Sequence, residues 1–419
     1  MVKKYIKKEL SVTKVTKYDI VMWKERRDTD EEQKMREPVG ITGCDNYDEQ
    51  TVRAALEDVL NKIHGLDFVK PGMKIAVKAN LVSMLAPDKA ATTHPALLKE
   101  LCRMLIARGA EVVVGDSPGG IYTAAYVKAV YKGAGVECIT ETGARLNDDF
   151  TVREVDYPEA VSIKNFTYTA WLDQADAIID FCKVKTHGMM SMTCSVKNLF
   201  GTIPGATKPE YHMRFPNIRA FANIMVDLNE YFRPVLSIAD AVDAMEGNGP
   251  TAGTPRHIGA LLASRSSYDL DMACAHLIGL TREDVQTIEE ACVRGLGPRN
   301  ISEVQLIGDL EKYRIDDFDL VAEHGSVTFT DEHGVFGKIK GAVIRSAFAT
   351  RPQVKPAECI GCRKCEQICP AHAITMVKQK PEIDRSRCIH CFCCQEFCPK
   401  GAMKVQHTPL GRMLKLCRK

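Results

Sequence analysis

The chain has 419 residues, enough for two or three domains, and its 45% hydrophobic and 26% charged content is that of an ordinary soluble globular protein. A formal net charge of +2 gives no bulk electrostatic reason to bind nucleic acid or a membrane surface. The basic N-terminus, MVKKYIKKEL, lacks the apolar stretch of a secretory signal, and no apolar run reaches bilayer length, so the expectation is a cytoplasmic protein with no membrane span and no nucleic-acid partner.

Residues 1–40 are charged and weakly patterned, and residues 24–36 mix both signs densely, as an exposed loop or helix does. From Glu49 the pattern becomes regular. Val52, Ala55, Leu56, Val59 and Ile63 recur at helical spacing. Lys70-Pro71-Gly72 is a turn before a short apolar strand at 74–78. Pro95 suits the first position of a helix whose apolar face is Leu97, Leu98, Leu101, Leu105 and Ile106, and Arg108-Gly109 ends it. A strand follows at 111–115, a turn at 116–120, a helix near 124–132 and a strand near 136–139.

A stronger strand is expected at 177–182, then a helix from about 190 to 200 and another after Pro216. Strands at 235–239 and 258–263, a helix at 269–277, a capping arrangement at Thr281 before one more helix, and a last strand at 304–307 complete the pattern. Strands alternating with helices imply an α/β domain over residues 41–310, with a mostly parallel sheet and helices on both faces. Residues 311–350 carry little periodic signal and read as a connecting segment before a second module at 351–406 and a tail at 407–419.

Open parallel sheets bind ligands beyond the carboxyl ends of their strands, which selects a short list of polar residues. Lys78 and Asn80 end the first strand, His94 opens the next helix, and Asp116 ends the second strand. The most concentrated segment is 183–205, KVKTHGMMSMTCSVKNLFGTIPG. If its middle is helical, Met192, Val196 and Leu199 form an apolar stripe, and Ser191, Ser195 and Asn198 a polar one. Lys183, Lys185 and Lys197 then face an anionic ligand, or are solvated surface groups. His187 reads as a general acid/base or as a loop histidine satisfied by backbone; His94 reads as a ligand group or a helix cap. Asp116 and Asp240 read as ligand-binding carboxylates or as turn-forming ones. The candidate catalytic set is His187, Lys185 and Asn198, and the candidate substrate-binding set is Lys78, Asn80, His94, Asp116, Lys183, Lys197 and Asp240.

Ten of the 17 cysteines lie in the last 61 residues, and eight of them form a repeat. Cys359, Cys362, Cys365 and Cys369 precede Pro370; Cys388, Cys391, Cys394 and Cys398 precede Pro399. Each copy reads C-x₂-C-x₂-C-x₃-C-P, the bacterial ferredoxin spacing for [4Fe–4S] clusters, in which the fourth cysteine ligates the other cluster. Cys359, Cys362, Cys365 and Cys398 are thus assigned to one cluster, and Cys388, Cys391, Cys394 and Cys369 to the other. Zinc sites and secreted disulfide frameworks do not repeat in this way. Cys393 breaks the repeat and Cys417 lies outside it, so both are expected to be unligated. Metal ligation also supplies folding energy that a core of roughly 60 residues lacks. Two oxygen-labile clusters suit an anaerobic or oxygen-poor cell.

Taken together, KANLV at 78–82, TTHP at 92–95, GDSPGG at 115–120, KVKTH at 183–187, VKNLFG at 196–201 and EGNGP at 246–250 resemble the domain of unknown function 362 family. These motifs span roughly residues 40–280, and the resemblance implies an appended ferredoxin-type domain, as residues 359–399 provide. His187, Lys197 and Asn198 match the family's KTH and KN positions, while the family as a whole implies clusters without a general assigned reaction.

No G-x-G-x-x-G follows a strand and no Walker A sequence occurs; Gly295-x-Gly297 lacks the third glycine and follows a helix. The reading is an iron–sulfur oxidoreductase in which two [4Fe–4S] clusters pass electrons to a small anionic substrate in the α/β domain, with an electron donor or acceptor protein as partner. Two alternatives stay open: an electron-transfer or docking subunit of a larger redox complex, and a non-redox enzyme or maturation factor with structural or sensing clusters.

Overall fold

The structure, a computed structural model, describes residues 12–14, 36–320 and 350–407. The expectations for 1–11 and 15–35, for most of the connecting segment and for the tail with Cys417 lie outside the described residues.

In chain order the α/β part comprises β1 (Val12–Lys14), β2 (Val39–Gly43), α1 (Glu49–Lys62), β3 (Lys74–Ala79), α2 (Pro95–Ala107), β4 (Glu111–Gly115), α3 (Ala124–Gly133), β5 (Arg145–Leu146), β6 (Val152–Asp156), β7 (Asn165–Thr169), β8 (Ala177–His187) and β9 (Ser191–Thr193). It continues with α4 (Ser195–Asn198), α5 (Lys208–Arg214), α6 (Ile218–Phe232), β10 (Leu236–Glu246), β11 (Thr254–Ser264), α7 (Ser267–Leu277), α8 (Gln286–Val293) and β12 (Leu306–Ile307). The main sheet runs β12-β2-β11-β10-β8-β3-β4-β5, with β9 paired to β8. From β10 through β8, β3 and β4 to β5 every pairing is parallel, while β11 is antiparallel to both β10 and β2.

Alternation along β8 shows the two layers. Ile179 and Phe181 join the core beneath α1, α2 and α3, whereas Ile178 packs with α6, and Cys182 and Val184 pack with α7. Helices therefore cover both faces of a mostly parallel sheet. A second sheet, β1-β6-β7, lies outside this path.

Three expectations change. The expected strand at 136–139 is a 3₁₀ helix, Val136–Thr142, bracketed by left-handed Gly135 and Gly143; Val136 and Ile139 are buried three residues apart, the period of that helix. The expected helix at 190–200 is a β8–β9 hairpin, and helix begins only at Ser195. The amides of Met189 and Met190 donate to His187 Nδ1 instead of to helical carbonyls, and Ser191 takes a φ of 60° that an α-helix excludes. Ser191 thus leaves the helical polar stripe expected with Ser195 and Asn198. Finally, β2 crosses the expected boundary at residue 40 and joins the central sheet.

The cysteine-rich part contains β13 (Thr350–Val354), α9 (Lys364–Ile368), β14 (Ile374–Val377), β15 (Lys380–Ile383), α10 (Cys393–Glu396) and β16 (Met403–His407). β13 pairs with β16 and β14 with β15, both antiparallel. The sequence repeat is also a backbone repeat. Gly361 and His390, Arg363 and Phe392, and His372 and Gly401 all have positive φ, and each pair is one repeat apart. The amide of Ala373 donates to Cys369 Sγ at 3.3 Å, and that of Ala402 to Cys398 Sγ at 3.2 Å.

Candidate functional site

The parallel strands diverge between β3 and β8: β4 and β5 follow β3 on one side, and β10 follows β8 on the other. The crevice beyond their carboxyl ends is where a doubly wound sheet presents polar groups to a ligand. Most of the predicted strand-end residues converge here, and almost all are buried.

Two ion pairs flank the crevice. Lys78 Nζ lies 2.8 Å from Asp116 Oδ1, and Lys183 Nζ lies 2.8 Å from Asp240 Oδ2; no member is more than 5% exposed. Asp116 Oδ2 also accepts the Leu81 amide at 2.7 Å. Tyr47 joins the second pair, its hydroxyl donating to Asp240 Oδ1 at 3.1 Å and accepting from Lys183 at 3.0 Å. His94 caps α2, with Nδ1 accepting the Ala96 amide at 3.3 Å, and its ring stacks on Tyr47 at 3.5 Å. Its amide donates to Asp240 Oδ2, and burial pushes its imidazole down to about 4. Lys78, Lys183, Asp116, Asp240 and His94 thus compensate or cap one another.

Asn198 occupies a buried network under the crevice. Its amide group donates to Asp180 Oδ1 at 2.7 Å, and its Oδ1 accepts from Lys78 at 3.4 Å. Ser195 Oγ donates to Asp180 Oδ2 at 2.6 Å. Burial pushes the Asp180 carboxyl up to about 7 against the pull of Lys78.

At the crevice, Lys185, Lys197 and Lys208 have no carboxylate within ion-pair distance among the described residues. Lys185 donates to Asn80 Oδ1 at 2.9 Å and to the Ala91 carbonyl at 2.5 Å. Lys208 donates to the Ser117 carbonyl. Lys197 and Lys208 lie over the ring of Phe200, at 5.8 and 5.7 Å from its centroid. Burial pushes Lys185 down to about 7 and Lys208 to about 8, and lowers Lys197; the charge of Glu396 opposes each shift. His187 sits at the end of β8, and because Nδ1 accepts two amides its neutral ring carries its proton on Nε2.

In the cysteine-rich part, one small cavity is lined by Cys359, Cys362, Cys365 and Cys398, and a second by Cys369, Cys388, Cys391 and Cys394. The fourth cysteine of each repeat thus crosses to the other cavity. The donor chemistry fits cubane clusters. Four thiols line each cavity, the number that a cubane cluster takes. Burial pushes Cys365 up to about 11, and Cys398, Cys359 and Cys362 add to it; four thiolates coexist there only around a cationic core. Cys393 is buried and lines neither cavity.

The two parts meet at the crevice. α10, which carries Cys394, packs Gln395 against the α/β part: its Nε2 donates to the Gly249 carbonyl at 2.7 Å and the Asn248 carbonyl at 3.0 Å. Thr251 Oγ1 donates to the Glu396 carbonyl at 2.9 Å. Glu396 Oε2 lies 4.0 Å from His187 Nε2. Gly188 is needed here, because a Cβ would come within 3.0 Å of Val405 and 3.2 Å of Gln395.

Residues 75–276 match the family described as "Domain of unknown function (DUF362)", and residues 358–402 match a "4Fe-4S dicluster domain". Residues 75–276 form a DUF362 domain within the α/β region. A thylakoid-associated protein of Synechocystis sp. is 27% identical over 271 residues, covering 63% of this chain and 81% of that protein. Among solved structures, the lactate racemase apoprotein of Thermoanaerobacterium thermosaccharolyticum is similar over 58% of this chain at 12% identity, with a TM-score of 0.36. A Thermotoga maritima protein is similar over 54% at 13% identity, with a TM-score of 0.32. The chain spans 57% of the length of each of these two structures. Among the described residues, no helix is long and apolar enough to cross a membrane.

Within the α/β region, sequence reasoning missed Tyr47, Asp180, Phe200 and Lys208. Lys208 follows the Gly201–Gly205 loop, whose tight packing was the available signal: a Cβ on Gly201 would meet Asp116 and Lys78, and one on Gly205 the carbonyls of Pro118 and Gly120. Glu396 was missed because it belongs to the dicluster domain and meets the DUF362 domain only through the tertiary fold.

Proposed function

We propose that the chain is an iron–sulfur oxidoreductase in which two [4Fe–4S] clusters deliver electrons to a small anionic substrate at the strand ends of the DUF362 domain. One observation carries this reading: α10 holds Cys394 at one cavity while its next two residues, Gln395 and Glu396, lie on the crevice. The clusters supply one-electron chemistry that protein side chains lack. Their near-neutral range makes Lys185 and Lys208, with Lys197, suited to an anion: binding restores charge that burial disfavours. His187 presents its Nε2–H, facing the dicluster domain, as a hydrogen-bond donor to the negative charge that reduction builds on the substrate. Lys78, Lys183, Asp116 and Asp240 act by positioning, since their charges are already paired. The array of unoxidised thiols favours a cytoplasmic, oxygen-poor setting.

Cys394→Ser in the full chain is the test. Loss of turnover with anion binding retained supports the reading; undiminished turnover removes it. A second reading is favoured by the same contact. Gln395, Thr251 and Asn248 form a docking interface over the crevice, as expected of an electron-transfer subunit with no substrate chemistry of its own. Retained electron transfer to a protein acceptor in a His187→Ala variant that binds no anion favours that alternative.

A further inference from the structure

The two cysteine-lined cavities differ in their surroundings. Of the residues lining the Cys369–Cys388–Cys391–Cys394 cavity, none is exposed and none is charged. The other cavity has six exposed lining residues: Ile360, Cys362, Arg363, Lys364, Pro399 and Lys400. Ile360 is 59% exposed, an apolar side chain beside a cysteine at the surface. The charged residues of that lining, Arg363, Lys364 and Lys400, are all basic. Arg363 pairs with Glu366 at 2.9 Å, but Lys364 and Lys400 have no carboxylate partner among the described residues. Between Thr350 and His407 ten lysines and arginines face five acids, before the charge of any cluster is counted.

An apolar centre, an exposed ligand residue and a cationic rim form the surface that a transient electron-transfer contact uses: small, weakly held and electrostatically steered. We propose that this rim is the docking surface for a small acidic one-electron carrier protein, and that electrons enter the chain there. The occupant follows from charge complementarity, since a basic carrier would meet like charge. The inference rests on the electron-transfer reading of the dicluster domain. In the step, the reduced carrier loses one electron and the outer site gains it, with no bond formed or broken. From there the path runs inward, because Cys365, Cys394, Cys369 and Cys398 pack in one small core with Ile374 and Met403, and α10 continues to the crevice.

The experiment uses the full chain reconstituted without air and a reduced plant-type [2Fe–2S] ferredoxin as the acidic probe. Stopped-flow absorbance follows reduction of the chain as ionic strength rises from about 20 to 500 mM. The wild-type rate is expected to fall steeply with salt. Lys364→Glu/Lys400→Glu is expected to lower the low-salt rate at least about tenfold and to flatten its salt dependence. The control Lys128→Glu/Lys132→Glu, the same charge change on exposed positions of α3, is expected to leave both unchanged. Iron content and the amplitude of reduction by dithionite should match wild type in both variants. A rate insensitive to salt and to the rim reversal, or lowered equally by the control, overturns the docking surface. Failure of dithionite to reduce the wild-type chain instead overturns the electron-transfer reading beneath it.

Discussion

His187 Nε2 and Glu396 Oε2 face each other at 4.0 Å across the boundary between the DUF362 and dicluster domains. The first closes the central strand of the sheet; the second lies two residues after a cavity cysteine. A site assembled from both domains requires that neither works alone. His187→Ala is expected to lower turnover by about 10²–10³-fold, the range for loss of a hydrogen-bond donor to developing negative charge, with iron content and cluster spectra unchanged. Unaltered turnover would place that hydrogen-bond donor elsewhere.

The Lys183–Asp240 pair is nearly inaccessible to solvent. Removing one partner strands a buried charge, so Asp240→Ala should destabilise the DUF362 domain by about 3–5 kcal/mol. The double variant Asp240→Ala/Lys183→Met removes both charges and should recover much of that loss. Urea unfolding monitored by far-UV circular dichroism checks both. Equal destabilisation in the single and double variants would mean that the pair does not act as a unit.

Lys185 and Lys208 titrate near 7 and 8 in the free chain because they are buried. An anion binds their charged forms, so binding should take up protons, and affinity should weaken as pH rises from about 6 to 9. Calorimetry in two buffers of different ionisation enthalpy, with inorganic phosphate as probe, measures the uptake directly. The same depression means that the unfolded chain binds more protons than the folded one between pH 7 and 10. Ligand-free stability should therefore gain from these lysines across that window.

Removal of iron should unfold the dicluster domain selectively. Its core is small, built from Ile374, Met403 and cluster cysteines, while the DUF362 domain has extensive cores on both faces of its sheet. Hydrogen exchange after chelation under denaturant-free conditions should show protection lost across 350–407 and kept in β3 and β8. Protection retained at 350–407 would assign the fold to packing rather than metal.

Cys393 is buried but lines neither cavity, whereas Cys394 lines one. Cys393→Ser should retain about eight irons per chain, and Cys394→Ser should fall towards about four. An equal loss in both variants would make Cys393 a ligand.

The sequence alone determined the features that depend on local chemistry. The two cysteine repeats named the cofactor class because cluster ligation requires thiolates at fixed spacing, and the crossover emerged in the cavities because the fourth cysteine of each repeat follows a short helix. Periodicity located α1, α2 and α6, since burial of one helical face imposes a repeat that nothing else in those segments contradicts. It failed at 190–200, where a histidine side chain took two amides from the helix, and at 136–139, where the spacing of three between Val136 and Ile139 is that of a 3₁₀ turn and not the two-residue alternation of a strand. Only the tertiary structure decided which of these lysines have a carboxylate partner. Lys78 and Lys183 looked equivalent to Lys185 in sequence, but their partners Asp116 and Asp240 arrive from other strands. Glu396 reaches the crevice because a second domain lies over it; pairing across such distances depends on how the chain is packed, which local pattern does not encode.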